Sequence, residues 1–408
     1  MVGVCARAQP KPMPNLNPKR FTQHDILRRI DPECLLAWLR PSADFFTSRG
    51  LALPPEIDGK AGFVMGDGTK GLDFEKLSEI FVNPDEEMPP ELVDSLSLIH
   101  EMADANGMDA ILEAVKARGL DLEAGDNPDP ADVAVRAWLL DRNLLEEIHT
   151  KYQLMRPRSF TYYASREVPL PAFSVPSPAA LRALEKRLET WYAESKRGRR
   201  CQVRAFPKDG ECWFLVRHGL PCKREGVMDE NGTGSVFYRP QKHDVVVYNE
   251  ARGELRVNCC GLRELAQFLV EFGICLFGND QFFPEVEKYS YSPLFTGRAC
   301  LECGDVPGIE EVKWREVEVY FKHNPWQRVT RKGADLFELL DQKAFELPSV
   351  TGISRAGFEV RFGGSRKTRR VTIIGRNKAQ YGRDDDSLLV ERWLKLRGFV
   401  TNGGRLEA

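Results

Sequence analysis

The chain has 408 residues, 42% of them apolar and 29% charged, with a formal net charge of −2. That length exceeds one ordinary domain and supplies apolar material for two or three cores, so stability needs no disulfide staples. Ten cysteines are scattered without a disulfide framework's spacing, and the longest apolar stretch, residues 268–277, is broken by Glu271 and Gly273. It is about half the ~20 residues that cross a bilayer, which excludes membrane spanning and predicts a soluble, cytoplasmic protein.

Residues 1–20 are predicted as a mobile tail, proline-rich and polar to Pro18, without the apolar core of a secretory signal. A mostly helical domain is predicted over 21–176. Asp31-Pro32-Glu33 and Asp129-Pro130 each place a capping carboxylate before a proline suited to a first helical turn. Residues 59–71 are glycine-rich but lack the spacing of a phosphate-cradling loop, and read as a loop or turn. Leu92, Leu96, Ile99 and Met102, then Ile111, Leu112 and Val115, describe two helices broken at Ala105-Asn106-Gly107. After Asp129, Val133, Ala137, Leu140, Leu144 and Ile148 form one apolar stripe, widened by Trp138 and Leu145. Residues 72–155 carry 6 basic against 20 acidic residues, which makes this region strongly acidic.

A proline-rich stretch, 169–178, suggests a boundary, and residues 177–408 read as a second domain of α+β type. Ser177-Pro178 opens a helix carrying Leu181, Leu184, Leu188 and Trp191 on one face. The period then changes to two. Residues 201–206 and 211–217 form a hairpin across Asp209-Gly210, and residues 244–249 and 254–258 a second across 251–253, with 234–239 as a strand before it. An antiparallel meander is the expected product. Helices are predicted at 262–272, closed by Gly273, at 334–345, and at 386–396, closed by Gly398. Strands are predicted at 312–321, 358–362 and 370–374, the last two around Gly363-Gly364-Ser365. Residues 156–408 hold 42 basic against 33 acidic residues, so the charge asymmetry lies between the two domains.

Three constellations could carry chemistry. Phe214-Leu215-Val216-Arg217-His218-Gly219 resembles the strand-plus-Arg-His-Gly signature of the histidine phosphatase superfamily. The resemblance covers this short motif alone. It implies that His218 takes up phosphate on the first strand of a parallel α/β sheet, beside a second histidine and further arginines. Hairpins flank the motif here, whereas parallel strands need long crossovers, so His218 also reads as a strand-end residue above a core made by Phe214 and Val216. Asp244, Glu254 and Arg256 have the outline of a magnesium-dependent nuclease hairpin. A tight turn separates the two carboxylates by about five residues at 3.3 Å each, too far to share an ion. Cys300 and Cys303 have the spacing of one zinc knuckle, with Cys259 and Cys260 as further thiols. His100-Glu101 lacks the second histidine of a zinc-protease helix.

The densest positive run is Arg366, Lys367, Arg369, Arg370, Arg376, Lys378 and Arg383, with Tyr381 among them as a stacking residue and no acid from 363 to 383. Asp384, Asp385 and Asp386 follow and could neutralise it. The expected fold is therefore α+β: a helical N-terminal region followed by a mixed, largely antiparallel β region with interspersed helices. The expected function is a non-enzymatic nucleic-acid-binding or regulatory protein. Its basic C-terminal hairpin meets DNA or RNA, while the acidic helices dock a protein partner or shield that hairpin. The alternatives are a phosphoester hydrolase at His218, Asp244 or Glu254, and a subunit of a larger assembly. No cofactor motif stands out; magnesium at the carboxylates and zinc at the cysteine pair are the alternatives.

Overall fold

The computed structural model describes residues 19–22, 24–54, 71–85, 87–125, 127–155, 157–229, 232–321, 324–343, 351–364, 368–382 and 386–401. The expected tail up to Pro18 and the glycine-rich stretch up to Lys70 lie outside them, as do Ser365, Asp384 and Asp385. The chain divides into two compact units, Met1–Gln153 and Leu154–Ala408. This division falls ahead of the expected boundary at 176, because residues 159–164 form a strand inside the second unit's sheet.

The first unit is helical: α1 (His24–Leu27), α2 (Pro32–Leu39), α3 (Ala43–Ser48), α4 (Phe74–Val82), α5 (Pro90–Met102), α6 (Ala105–Ala117), α7 (Pro130–Leu140) and α8 (Arg142–Met155). Carboxylates start five of them, Asp141 of α8 included. Asp31, Asp73, Asp104 and Asp129 accept from backbone N–H groups in the first turns of α2, α4, α6 and α7, satisfying donors that a helix start leaves without partners. The break between α5 and α6 falls at Ala103-Asp104, and the expected breaker Ala105-Asn106-Gly107 instead opens α6 under the Asp104 cap. The apolar stripe after Asp129 is likewise two helices. Asp141 is extended, with φ −160°, and its carboxylate receives the Asn143 and Leu144 N–H groups at the start of α8. The buried faces meet in one core around Phe21, Trp38, Phe46 and Phe81, where Trp38 Nε1 donates to Ser95 Oγ at 2.8 Å.

The second unit is built on strands β1 (Ser159–Ala164), β2 (Cys201–Lys208), β3 (Glu211–Gly219), β4 (Lys223–Asp229), β5 (Gly232–Tyr238), β6 (Gln241–Asn249), β7 (Glu254–Asn258), β8 (Ile309–Phe321), β9 (Asn324–Lys332), β10 (Thr351–Phe362), β11 (Thr368–Ile374) and β12 (Lys378–Gln380). Among the described residues ten of these form one antiparallel sheet in the order β2-β3-β6-β7-β1-β12-β11-β10-β8-β9. The fold is α+β. The two expected hairpins are present, the first turning through Asp209 and Gly210, both at positive φ. The meander has one interruption. β5, expected to lead into it, pairs with β4 in a separate two-stranded arm that leaves the sheet after β3 and returns at β6.

Helices α9 (Pro178–Glu194) and α10 (Leu262–Phe277) cover one face of the β2 to β1 half, where Leu184, Leu188, Phe268 and Phe272 pack on Phe214, Val216, Val246 and Leu255. The opposite face carries Trp213, Leu215, Val245 and Val247. These join a second core with Trp314, Phe358, Ile373 and the residues of α11 (Leu336–Asp341) and α12 (Ser387–Leu396). β3 is thus buried on both faces, which is why it reads as a continuous apolar run. Two helix ends differ from expectation. α10 passes through Gly273 and stops at Gly278, φ +67°; Gly273 is internal, where a Cβ would stand 2.4 Å from the Asn279 carbonyl oxygen. α11 ends at Asp341, short of the expected 345.

Candidate functional site

Alternation along two paired strands assembles the most buried polar cluster. His218 of β3 pairs directly with Lys242 of β6, and Asp244 lies two residues further on the same face. Glu264 reaches this face from the first turn of α10, Tyr192 from the last turns of α9, and Arg197 from just beyond it. His218 is 2% exposed, Asp244 0% and Glu264 1%. His218 Nε2 lies 2.9 Å from Asp244 Oδ2 and 3.4 Å from Glu264 Oε1, while Nδ1 lies 2.9 Å from the Gly219 carbonyl oxygen. Its ring stacks on Tyr192 at 4.2 Å. Arg197 Nη1 meets Glu264 Oε1 at 2.5 Å, and Lys242 Nζ lies 2.5 Å from Asp244 Oδ1 and 3.4 Å from Glu264 Oε2. Burial works against the Lys242 charge, but the carboxylates of Asp244 and Glu264 outweigh it and hold the ammonium above its ordinary value. Burial pushes the Tyr192 hydroxyl up, so it stays protonated.

The structure therefore joins His218 and Asp244 but not as either hydrolase reading requires. β3 pairs antiparallel with β2 and β6, so the parallel α/β setting implied by the phosphatase resemblance is absent, and His218 is sealed from a phosphoester. Glu254 is across from Asn249, at the far end of the β6–β7 ladder from Asp244. It holds Lys288 Nζ at 2.6 and 2.8 Å, and that ammonium sits 3.6 Å from the Tyr162 ring centroid. Arg256 pairs with Glu211 at 2.8 Å. The nuclease pair Asp244 and Glu254 is thus two separate structural ion pairs.

Cys300 is buried in a short 3-10 turn, where burial pushes its thiol up to about 12, and Cys303 is half-buried beside it. Among the described residues the one grouping of three ligand-bearing side chains is His218, Asp244 and Glu264, which includes neither cysteine.

The basic hairpin is partly neutralised. Arg369 meets Asp386 at 2.9 Å, Arg376 pairs with Glu287, and Arg370 pairs with Glu316. Tyr381 is 2% exposed and donates to Glu391 at 3.0 Å, so its ring offers no face to a base, contrary to expectation. Lys378 is half-buried. Arg366, Lys367 and Arg383 lie outside the described residues.

A positive surface unread in the sequence lies beside this hairpin. On the sheet face turned away from Trp314 and Phe358, two carboxylates lie low, with Glu316 3% and Glu318 18% exposed in their side chains. Lys332, Arg355 and Arg370 all converge on Glu316, and Arg328 on Glu318 at 3.1 Å; these four cations are 67%, 39%, 60% and 55% exposed. A Ser354 hydrogen bond and the Arg328 charge hold Glu318 below the usual carboxylate range. These two acids lie beneath their cations, while Glu359, opposite Arg370 and 33% exposed, pairs with Arg315. β9, the sheet's last strand, adds Trp326, 90% exposed, where the β8–β9 register shifts; Arg331, which has no ion-pair partner among the described residues, pairs with Val317 and so stands on the opposite face from Arg328 and Lys332. The sequence signal was there: residues 324–332 contain Trp326, three cations and no acid. Glu264 carried no such signal, since nothing in its own segment points to β3 or β6.

Comparison with protein-family models and with curated proteins finds no match to this chain. No helix of the described residues is long and apolar enough to cross a membrane.

Proposed function

We propose that this protein binds nucleic acid without catalysis, and that it does so through β9 and the adjoining cationic face of β8, β10 and β11. The reading rests above all on Trp326, an almost fully exposed indole on a basic edge strand. A large aromatic in that setting gains little from water and much from stacking on a nucleobase. Arg328, Lys332, Arg355 and Arg370 supply the phosphate contacts. Relative to the terminal hairpin expected from the sequence, the centre of binding moves to β9, with Arg370 common to both. The acidic helical unit, at 6 basic to 20 acidic residues over 72–155, repels a polyanion and leaves the second unit as the binding part.

The test is affinity for single-stranded DNA, single-stranded RNA and duplex DNA across a salt series. Trp326→Ala is expected to weaken single-strand binding roughly 5- to 150-fold, the range for one lost stacking contact. The double change Arg328→Ala and Lys332→Ala should reduce the logarithmic salt slope by about 1.4, or ~0.7 per phosphate contact. Wild-type protein that fails to bind, or affinity unmoved by these changes, overturns the proposal. Loss of binding on changing Arg369 and Arg370 alone, with Trp326→Ala silent, would return the site to the hairpin.

A further inference from the structure

The buried cluster at the root of the β4–β5 arm brings three ligand-bearing side chains to one point. His218 Nδ1 faces the Gly219 carbonyl and Nε2 faces Asp244 Oδ2, each at 2.9 Å. Both partners are acceptors, and a second carboxylate, Glu264 Oε1, stands 3.4 Å from Nε2. Nε2, Asp244 Oδ2 and Glu264 Oε1 thus converge on a single point. Asp244 Oδ1, fully buried, also makes no hydrogen bond of acceptable geometry; the Lys242 ammonium is 2.5 Å away but off line.

We infer that His218, Asp244 and Glu264 form a binding site for a divalent first-row transition-metal ion, with the Lys242 ammonium as the group the ion displaces. The three ligand atoms lie within 4.8 Å of one another. The separations of 2.9 Å and 3.4 Å from Nε2 to the two carboxylates suit neighbouring positions around an ion with bonds of about 2.1 Å. One imidazole with two carboxylates matches manganese, iron or zinc; calcium takes six to eight oxygens and is a poor fit. The Gly219 carbonyl fixes the ring through Nδ1, and Arg197 orients Glu264 through Oε1, as supporting groups do around metal ligands. The Lys242 side chain is 15% exposed, so it has a route outward when its two carboxylates turn to an ion. Bound there, the ion ties β3, β6 and α10 together where the arm leaves the sheet.

The probe is manganese(II), which prefers nitrogen and oxygen ligands and so avoids the ten cysteines. Full-length protein stripped with chelator is titrated by calorimetry and by the loss of the free-manganese paramagnetic signal. One ion per chain is expected, with a higher unfolding midpoint in its presence. Glu264→Gln and His218→Ala should each weaken binding at least tenfold, and Lys242→Met should strengthen it at least tenfold by removing the competitor. Should the first two variants fail to fold, the wild-type and Lys242→Met titrations decide alone. Absence of saturable binding by the wild type, or Lys242→Met binding no tighter than wild type, overturns the inference.

Discussion

The two units handle charge in opposite ways. In the helical unit several acids stand at helix starts and serve the first turn of backbone: Asp31 for Glu33 and Cys34, Asp104 for Gly107, Asp129 for Ala131, with Asp104 also holding Arg20. In the sheet unit they lie beneath cations from other elements, Glu264 under Arg197 and Lys242, Glu316 under Lys332, Arg355 and Arg370. A cap interacts over two or three residues and replaces contacts with water by equivalent ones. A carboxylate buried among distant partners depends on all of them being placed. The first kind of charge is local and tolerant; the second is global and demanding.

That contrast is tested most severely at Glu264. In metal-free buffer Glu264→Ala leaves Arg197 without a buried counter-charge and Lys242 with Asp244 alone, and should cost about 3–5 kcal/mol, the range for a broken buried pair. A loss under ~1 kcal/mol in urea unfolding would mean that the cluster is as tolerant as a cap, and the distinction would fail.

Asp104 gives the corresponding value for the helical unit. It caps α6 through Gly107, receives the Tyr152 hydroxyl at 3.0 Å and holds Arg20 at 2.8 Å. Asp104→Ala should cost about 1–2 kcal/mol. Burial raises its carboxyl, but the hydrogen bonds from Arg20, Gly107 and Tyr152 win and hold it below its ordinary 3.8. A carboxylate lowered by folding stabilises above its unfolded value, and that contribution is lost as pH falls through the folded one. Acid unfolding followed by the far-ultraviolet helix signal should therefore show the wild-type advantage over Asp104→Ala shrinking as pH falls below the ordinary 3.8. An advantage that persists there would detach Asp104 from the unit's acid stability.

The smallest effect is read by thiol labelling. Cys222 and Cys260 are exposed, whereas burial pushes the thiols of Cys212 and Cys300 up to about 11 and about 12. Iodoacetamide at neutral pH should modify the first pair in native protein and the second only on unfolding, because the thiolate is the reactive form. Prompt native labelling of Cys300 would contradict the packed second core.

Much of the fold was legible because it is written locally. Asp-Pro pairs announced α2 and α7, Asp209-Gly210 announced the β2–β3 turn, and Gly398 the end of α12. The misreadings were also local in origin. Asp141 looked like one more polar residue on a continuous stripe, and Gly273 looked like a stop until its approach to the Asn279 carbonyl gave another reason for a glycine there. β1 and β9 escaped notice because each belongs to the sheet through partners far away in sequence.

Of the candidate sites, the sequence picked out His218 and Asp244 one at a time but paired Asp244 with Glu254, a neighbour in the chain. Their true companions, Lys242 apart, come from α9 and α10. Strand alternation could place Lys242 and Asp244 on one face, but only strand pairing set His218 opposite them, and only the seating of α9 and α10 brought Arg197, Tyr192 and Glu264 above. The sequence by itself determined the helix starts, the tight turns, the change of period and the unequal division of charge, since each arises within a few residues of backbone. The tertiary structure decided which charges stay buried and which face water. Desolvation and ion pairing depend on distances between segments that the chain alone does not contain.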